Sequence, residues 1–198
     1  SKKVDGLFYT GGTTIRQNSS AYSSDLTSFG NSSSALVNNG TLYFYTGGST
    51  DWNQSISGSG DVVITTSGTS VRDFGMRSAN TYTGNTTISD YVKLVLGGLT
   101  SPTTTATLST GDVILNGANA TLAISRASNI TLANNISGTG SIAAINPDQV
   151  ATLTGNINIT GSGISGVYIA SGTVAAGNNT TAPSSGGTIT INATGTGS

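Results

Sequence analysis

The side chains that could carry chemistry in this sequence are few, and their types exclude most enzymatic mechanisms. Glu, His and Cys are absent, so the Ser-His-Asp and Cys-His arrangements of nucleophilic catalysis cannot be assembled. Acid–base catalysis by paired carboxylates remains, with eight Asp side chains to supply it. Five of them stand at or near apparent turns, where Asp commonly bonds to backbone: Asp51, Asp61, Asp73, Asp112 and Asp148. We therefore expect no catalytic residues and no enzymatic activity.

One short stretch resembles a metal-binding motif. Gly58-Ser59-Gly60-Asp61-Val62-Val63 is similar to one unit of the calcium-binding nonapeptide repeat, in which carboxylates from successive turns share an ion. The second copy of this stretch has Ser141 where the first has Asp61, so the required carboxylates do not recur. We predict neither a metal nor a cofactor.

The elements that hold these residues are short alternating segments. Only 8% of the residues are charged, and Gly alone numbers 28, a composition that favours strands and turns over helices. Runs such as Thr41–Tyr45, Val92–Leu96 and Asn156–Thr160 alternate apolar and polar side chains with period two, and Gly pairs separate them. Strands of this length bury too little surface to be stable alone, so they must stack.

Internal repeats indicate how the strands stack. Asn53–Val62 returns as Asn134–Ile142, and Asn80–Ile88 is echoed by Thr152–Ile159. A repeated order of short strand, Gly turn and short strand is typical of solenoid rungs. We predict an all-β fold, a parallel β-helix or β-solenoid built of short stacked rungs. The alternative is an antiparallel β-sandwich completed by donor-strand exchange.

These same residues resemble a known family. Ile56–Gly60, Ile136–Gly140 and Asn80–Ile88 are similar to the autotransporter-associated β-strand repeat of bacterial surface passenger regions, over about residues 38–178. The second copy departs from the pattern, because the Tyr is lost and Asn156-Ile157-Asn158 replaces the end of the motif. The resemblance implies a right-handed parallel β-helix at the cell surface and no catalytic residues.

Aromatic residues divide the chain into two regions. Residues 1–52 contain eight of the twelve aromatics and are interpreted as an N-terminal cap or first rungs, whereas 53–198 form the repeat-containing solenoid region. The alternative to a cap is a platform on which aromatic rings stack on sugars, with Tyr43, Tyr45 and Trp52 as the candidate ligand contacts.

Asn-x-Ser/Thr sequons are frequent. Composition alone produces many of them in a chain this rich in Asn, Ser and Thr, and the functional alternative is a glycosylated surface filament. The candidate glycosylation sites are Asn18, Asn31, Asn39, Asn53, Asn85, Asn119 and Asn179.

The sequence therefore predicts an extracellular structural or adhesive protein, a rigid surface stalk or passenger segment that mediates attachment. A self-assembling filament subunit and a carbohydrate-binding module are the alternatives, and the partners would be other copies of the chain, surface glycans or matrix proteins. The candidate assembly strands contain Leu7, Phe8 and Tyr9 at one end and Ile189 and Ile191 at the other. A net charge of −1 does not predict binding to nucleic acid. The sequence contains no run of eighteen apolar residues, so it predicts no membrane span. The chain opens without a signal-peptide pattern, so we expect a secreted protein whose signal peptide has been removed.

Overall fold

The strands of this chain stack in parallel into a β-solenoid. The computed structural model describes residues 36–146 and 149–160 in full, together with the strand backbones at 8–9, 14–18, 164–165, 167–169, 173–176 and 188–191. Every strand pairing within these residues is parallel. The prediction of an all-β solenoid is confirmed. The alternative of an antiparallel sandwich is wrong, because its pairing joins none of the described strands.

The largest sheet forms one side of the solenoid and is called the long face. Its nine strands, in spatial order, are β2 (Thr14–Asn18), β4 (Thr41–Tyr45), β7 (Asp61–Thr65), β9 (Thr86–Ser89), β11 (Val113–Asn116), β14 (Ile136–Gly138), β17 (Ile157–Ile159), β20 (Thr173–Ala176) and β21 (Thr188–Ile191). Neighbours in this order come from successive turns of the chain, so each strand adds one rung to the stack.

Two further sides close the rungs. The second face is a six-stranded sheet of β5 (Thr50–Trp52), β8 (Arg72–Met76), β10 (Val92–Leu96), β12 (Thr121–Ile124), β15 (Ser141–Ala144) and β18 (Ile164–Ser165). The third face has two three-stranded sheets. One contains β1 (Phe8–Tyr9), β3 (Leu36–Asn38) and β6 (Ile56–Ser57), and the other contains β13 (Ile130–Leu132), β16 (Ala151–Leu153) and β19 (Val167–Ile169).

The core is a set of columns in which equivalent residues of successive rungs lie above one another. Along the long face the strand register aligns Leu42, Val62, Thr86, Val113, Ile136 and Ile157. Each of these side chains is at most 1% exposed, while the residues that alternate with them point outward. A buried aliphatic side chain contributes roughly 1.5–3 kcal/mol, and it does so in a rung only because the next rung covers it.

The segment that follows β10 crosses the outer side of the second face. Leu99 N donates a hydrogen bond to Asp51 Oδ1 at 3.1 Å, and the same carboxylate pairs with Arg77 Nη1 at 3.2 Å. Gly98 has a φ of +110°, a left-handed conformation that glycine adopts at low cost. Val95, on the outer side of the sheet, is only 2% exposed. The segment is therefore clamped against the sheet over apolar surface.

Candidate functional site

A repeated corner precedes the long-face strands and contains most of the polar residues that repeat along the stack. In five of these strands Asp or Asn stands one residue before the first buried residue, and the residue before that is Gly in four of them and Asn134 in the fifth. These pairs are Gly60-Asp61, Gly84-Asn85, Gly111-Asp112, Asn134-Asn135 and Gly155-Asn156. A Cβ at Gly84 would lie 2.2 Å from Gly60 O, so the corner has no room for a side chain there.

The Asp and Asn residues of these corners form a ladder on the solvent side, which we call the corner ladder: Asp61, Asn85, Asp112, Asn135 and Asn156. Asp61 Oδ1 accepts a hydrogen bond from Asn85 N at 2.8 Å, and Asn85 Oδ1 accepts one from Asp112 N at 3.0 Å. Asn135 Oδ1 accepts from Asn156 N at 3.1 Å. Asp61, Asn85 and Asn135 thus bind the backbone of the following rung, which ties the rungs together along the stack.

The Asp side chains in the described residues are similarly engaged in structural contacts. Asp112 Oδ1 accepts from Asn135 Nδ2 at 3.1 Å, Asp90 Oδ1 accepts from Asn119 N at 2.8 Å, and Asp73 pairs with Lys93 at 3.0 Å. No group of three or more His, Cys, Asp or Glu side chains comes together in the part of the chain that the structure describes. The functional role that the geometry assigns to these carboxylates is to join rungs.

The same corner explains two of the sequons. A ladder Asn is followed by an inward residue and then by an outward one, and an outward Ser or Thr completes Asn-x-Ser/Thr, as in Asn85-Thr86-Thr87 and Asn135-Ile136-Ser137. Of the candidate glycosylation sites, Asn39, Asn53 and Asn119 are exposed and Asn85 is half-buried. Asn18 lies in β2, of which only the backbone is described, and Asn31 and Asn179 lie outside the described residues.

The three candidate sugar contacts do not form one platform. Tyr43 and Tyr45 lie on the outer side of β4 and are half-buried. Trp52 points inward, is 1% exposed and packs against Phe44 with their ring centroids 4.7 Å apart. A ring buried to this degree cannot stack on a sugar, because the column of inward residues places it in the core. Trp52 therefore does not belong to a surface site.

The candidate assembly strands lie at sheet edges. Phe8 and Tyr9 form β1, which pairs with β3 at one edge of its sheet. Ile189 and Ile191 belong to β21, which pairs with β20 at one edge of the long face. Leu7 lies outside the described residues.

A buried polar cluster inside the solenoid was not predicted from the sequence. Tyr82 is fully buried, and its hydroxyl group lies 2.7 Å from Thr86 Oγ1. Thr86 Oγ1 lies 3.2 Å from Ser109 Oγ, so the three hydroxyls form one chain. Burial raises the pKa of Tyr82 to about 12, and the phenol stays neutral. Thr86 interrupts an otherwise apolar column, and that interruption was the available sequence signal.

Comparisons with known proteins give this architecture no relative. No family model matches the chain, and no curated protein and no solved structure matches it significantly. Within the described residues, no helix is long and apolar enough to cross a membrane.

Proposed function

We propose that this chain is a rigid β-solenoid segment of an extracellular or cell-surface protein, a spacer that carries or contributes adhesive contacts. The observation that carries the proposal is the corner ladder. Four of its five side chains accept a hydrogen bond from the next rung, three of them from backbone, as Asp61 does from Asn85 N at 2.8 Å. These polar side chains therefore stabilise the stack, which fits a mechanical role.

The dimensions support a spacer. Adjacent strands in a sheet are separated by about 4.8 Å, so the nine strands of the long face extend over roughly 40 Å. On the long face neighbouring rungs are joined by backbone hydrogen bonds and ladder side chains, and inside they share a continuous core, so bending would disturb these contacts together. A stack of this kind keeps its two ends at a fixed distance and transmits force between them.

The resemblance to the autotransporter-associated repeat supports the proposed location. The residues that carry it, Ile56–Gly60 and Asn80–Ile88, run from the third face through the corner and, in the second case, into β9. The composition agrees with an exposed setting, because uncharged Ser, Thr and Asn supply the solubility. On this proposal the partners are surface glycans, matrix proteins or other copies of the chain.

The proposal is tested by measuring shape and mechanics together. Small-angle scattering and negative-stain electron microscopy of the purified chain should give a monomeric rod of constant cross-section at all concentrations. Stretching single molecules should then release the rungs in successive small steps. A compact particle that unfolds in one cooperative step at low force would contradict the spacer function.

A self-assembling filament subunit is the second candidate. It is favoured by the edge positions of β2 and β21, since a strand edge can pair with another strand in the same parallel register. Micrographs recorded over a concentration series separate the two functions. Fibres that lengthen with concentration would indicate a filament subunit, whereas rods of fixed length would indicate a spacer.

A further inference from the structure

The hydrogen-bond ladder of the third face is interrupted at one place. On one side of the interruption, the segment 107–110 pairs with the preceding rung, as shown by Thr110 N donating to Tyr82 O. On the other side, β13 pairs with the following rung, as shown by Ile130 N donating to Val150 O. Among the described residues, no backbone hydrogen bond joins the segment 107–110 to β13. Two neighbouring rungs are therefore separated at this point.

Two buried polar side chains close the ends of the interruption. Arg126, 8% exposed, donates from Nη1 to Ala106 O at one end. Asn134, 6% exposed, donates from Nδ2 to Ser109 O at 2.7 Å and to Gly111 O at 2.6 Å at the other. Between them lies an open cleft of about 240 Å³. The separation of the rungs is thus held in place by side chains and is not a fraying of the ladder.

The cleft offers peptide groups on both walls. The bonds made by Ile130 N and Leu132 O point to the following rung, so the peptide groups of Thr131, between them, point into the cleft. Neither Thr131 nor Leu108, on the opposite wall, has a backbone hydrogen bond within the described residues. Thr131 is exposed and Leu108 is buried, and a buried peptide group is normally paired with protein, water or ligand. Both walls can therefore donate and accept hydrogen bonds.

The remaining lining defines the chemistry of an occupant. Leu108 and Leu132, 5% and 4% exposed, together with the partly buried Ile130, give the cleft an apolar floor. Thr110 brings a hydroxyl group to its rim, whereas the Thr107 hydroxyl is bonded to the backbone of Asn80, and no charged residue lines the cleft. The matching ligand is neutral, carries donors and acceptors on two opposite edges and has one apolar face.

We propose that this cleft binds a single neutral sugar ring of a surface glycan. A pyranose has hydroxyl groups around its edge for Thr131 and Leu108 and an apolar C–H face for the leucine floor. Arg126 donates to Ala106 O and Ser128 Oγ and does not line the cleft, so an ionic ligand would find no counter-charge among the lining residues, which disfavours it. This inference stands apart from the spacer function, because a rod can serve as a spacer with or without a glycan in the cleft. It also differs from the predicted aromatic platform, since neither Tyr43 nor Tyr45 lines the cleft.

The test is a titration of the full chain, labelled with 15N, with methyl glycosides of glucose, galactose, mannose and N-acetylglucosamine. For one ring in a small cleft we expect a dissociation constant on the order of 1 mM for at least one glycoside. The amide signals of Leu108 and Thr131 should move most. An N-acetylated dipeptide amide of Gly and Thr is titrated in parallel, because an extended peptide could satisfy the same walls.

A matched pair of variants connects binding to the cleft. Ala133→Phe adds a large side chain at an exposed lining residue, whereas Ala118→Phe makes the same change at an exposed residue away from it. We expect Ala133→Phe to weaken glycoside binding at least about 10-fold and Ala118→Phe to leave it unchanged, with both variants folded by circular dichroism. The proposal is overturned if no glycoside moves the cleft amides at 50-fold above that ~1 mM expectation, if only the dipeptide binds, or if both variants bind glycosides equally.

Discussion

Glycine is expected to be required at the corner formed by Gly84, and Gly84→Ala tests this directly. The new Cβ would lie 2.2 Å from Gly60 O and 2.4 Å from Gly60 C, whereas carbon atoms essentially never approach closer than 3.0 Å. The obstacle is backbone of the preceding rung and cannot rotate away. The two rungs must therefore separate locally by about 1 Å.

The magnitude follows from the hydrogen bonds that this separation stretches. Asn85 N to Asp61 Oδ1, Thr83 N to Gly58 O and Val62 N to Asn85 O measure 2.8, 2.9 and 2.9 Å and join the same two rungs beside the glycine. Weakening two of the three costs about 2 kcal/mol at about 1 kcal/mol each. Residual overpacking adds about 1 kcal/mol or more. We expect Gly84→Ala to lower the free energy of unfolding by roughly 3 kcal/mol.

Gly48→Ala is the matched control, since no atom lies within 4 Å of the position its Cβ would take. It should be neutral or slightly stabilising, by up to about 1 kcal/mol, because alanine restricts the unfolded chain. Urea unfolding followed by far-ultraviolet circular dichroism measures both variants. If Gly84→Ala and Gly48→Ala have the same unfolding free energy within error, the argument that close backbone approach fixes the corner glycines is refuted.

Three further predictions concern the clamp, the buried hydroxyls and the core. Asp51→Ala should lower the free energy of unfolding by roughly 2 kcal/mol, because it breaks an ion pair and releases Leu99 N. Asp73→Ala loses only a half-buried ion pair and should lower it by less than about 1 kcal/mol. Urea unfolding measures both variants, and the reverse order would contradict this prediction. Because the pKa of Tyr82 rises on folding from 10.0 to about 12, the free energy of unfolding should be unaffected by this group below pH ~10 and fall by roughly 2 kcal/mol as the pH approaches 12. Tyr82→Phe should remove that decline when unfolding is measured over this pH range, and an unchanged decline would exclude Tyr82 as its source. Trp52 fluorescence should be blue-shifted and resist quenching by acrylamide, and ready quenching would show that the ring is not in the core.

The alternation of apolar and polar residues made the strands predictable. In Thr41–Tyr45 and Asp61–Thr65, the residues expected to point inward are the ones that are buried. Period-two alternation fixes which residues share a side of a strand, because successive side chains leave a strand in opposite directions. The repeated Gly turns then indicated stacking, and that too was correct.

The alternative prediction of Trp52 as a surface ligand contact was wrong, and the polar cluster was not predicted at all. The sequence of an aromatic-rich stretch does not show whether its rings face solvent or the core. The register of β5 against β8 places Trp52 beside Met76 and inside the solenoid. The clustering of Tyr82, Thr86 and Ser109 depends on which rungs become neighbours. Ser109 lies 23 residues from Thr86, and no local pattern marks the pair.

By itself, then, this sequence determined the strands, the inward and outward sides of each strand and the exclusion of His- and Cys-based catalysis, because these follow from residue type and local spacing. The tertiary structure decided what depends on the length of each rung. The corner ladder needs Asp61 to meet Asn85, 24 residues later, although the equivalent step from Asn85 to Asp112 is 27 residues. The cleft beside β13 lies where, among the described residues, no backbone hydrogen bond joins the segment 107–110 to the next rung. Differences in the number of residues per rung involve whole turns of the chain, so only the stacked structure shows which residues of neighbouring rungs come into contact.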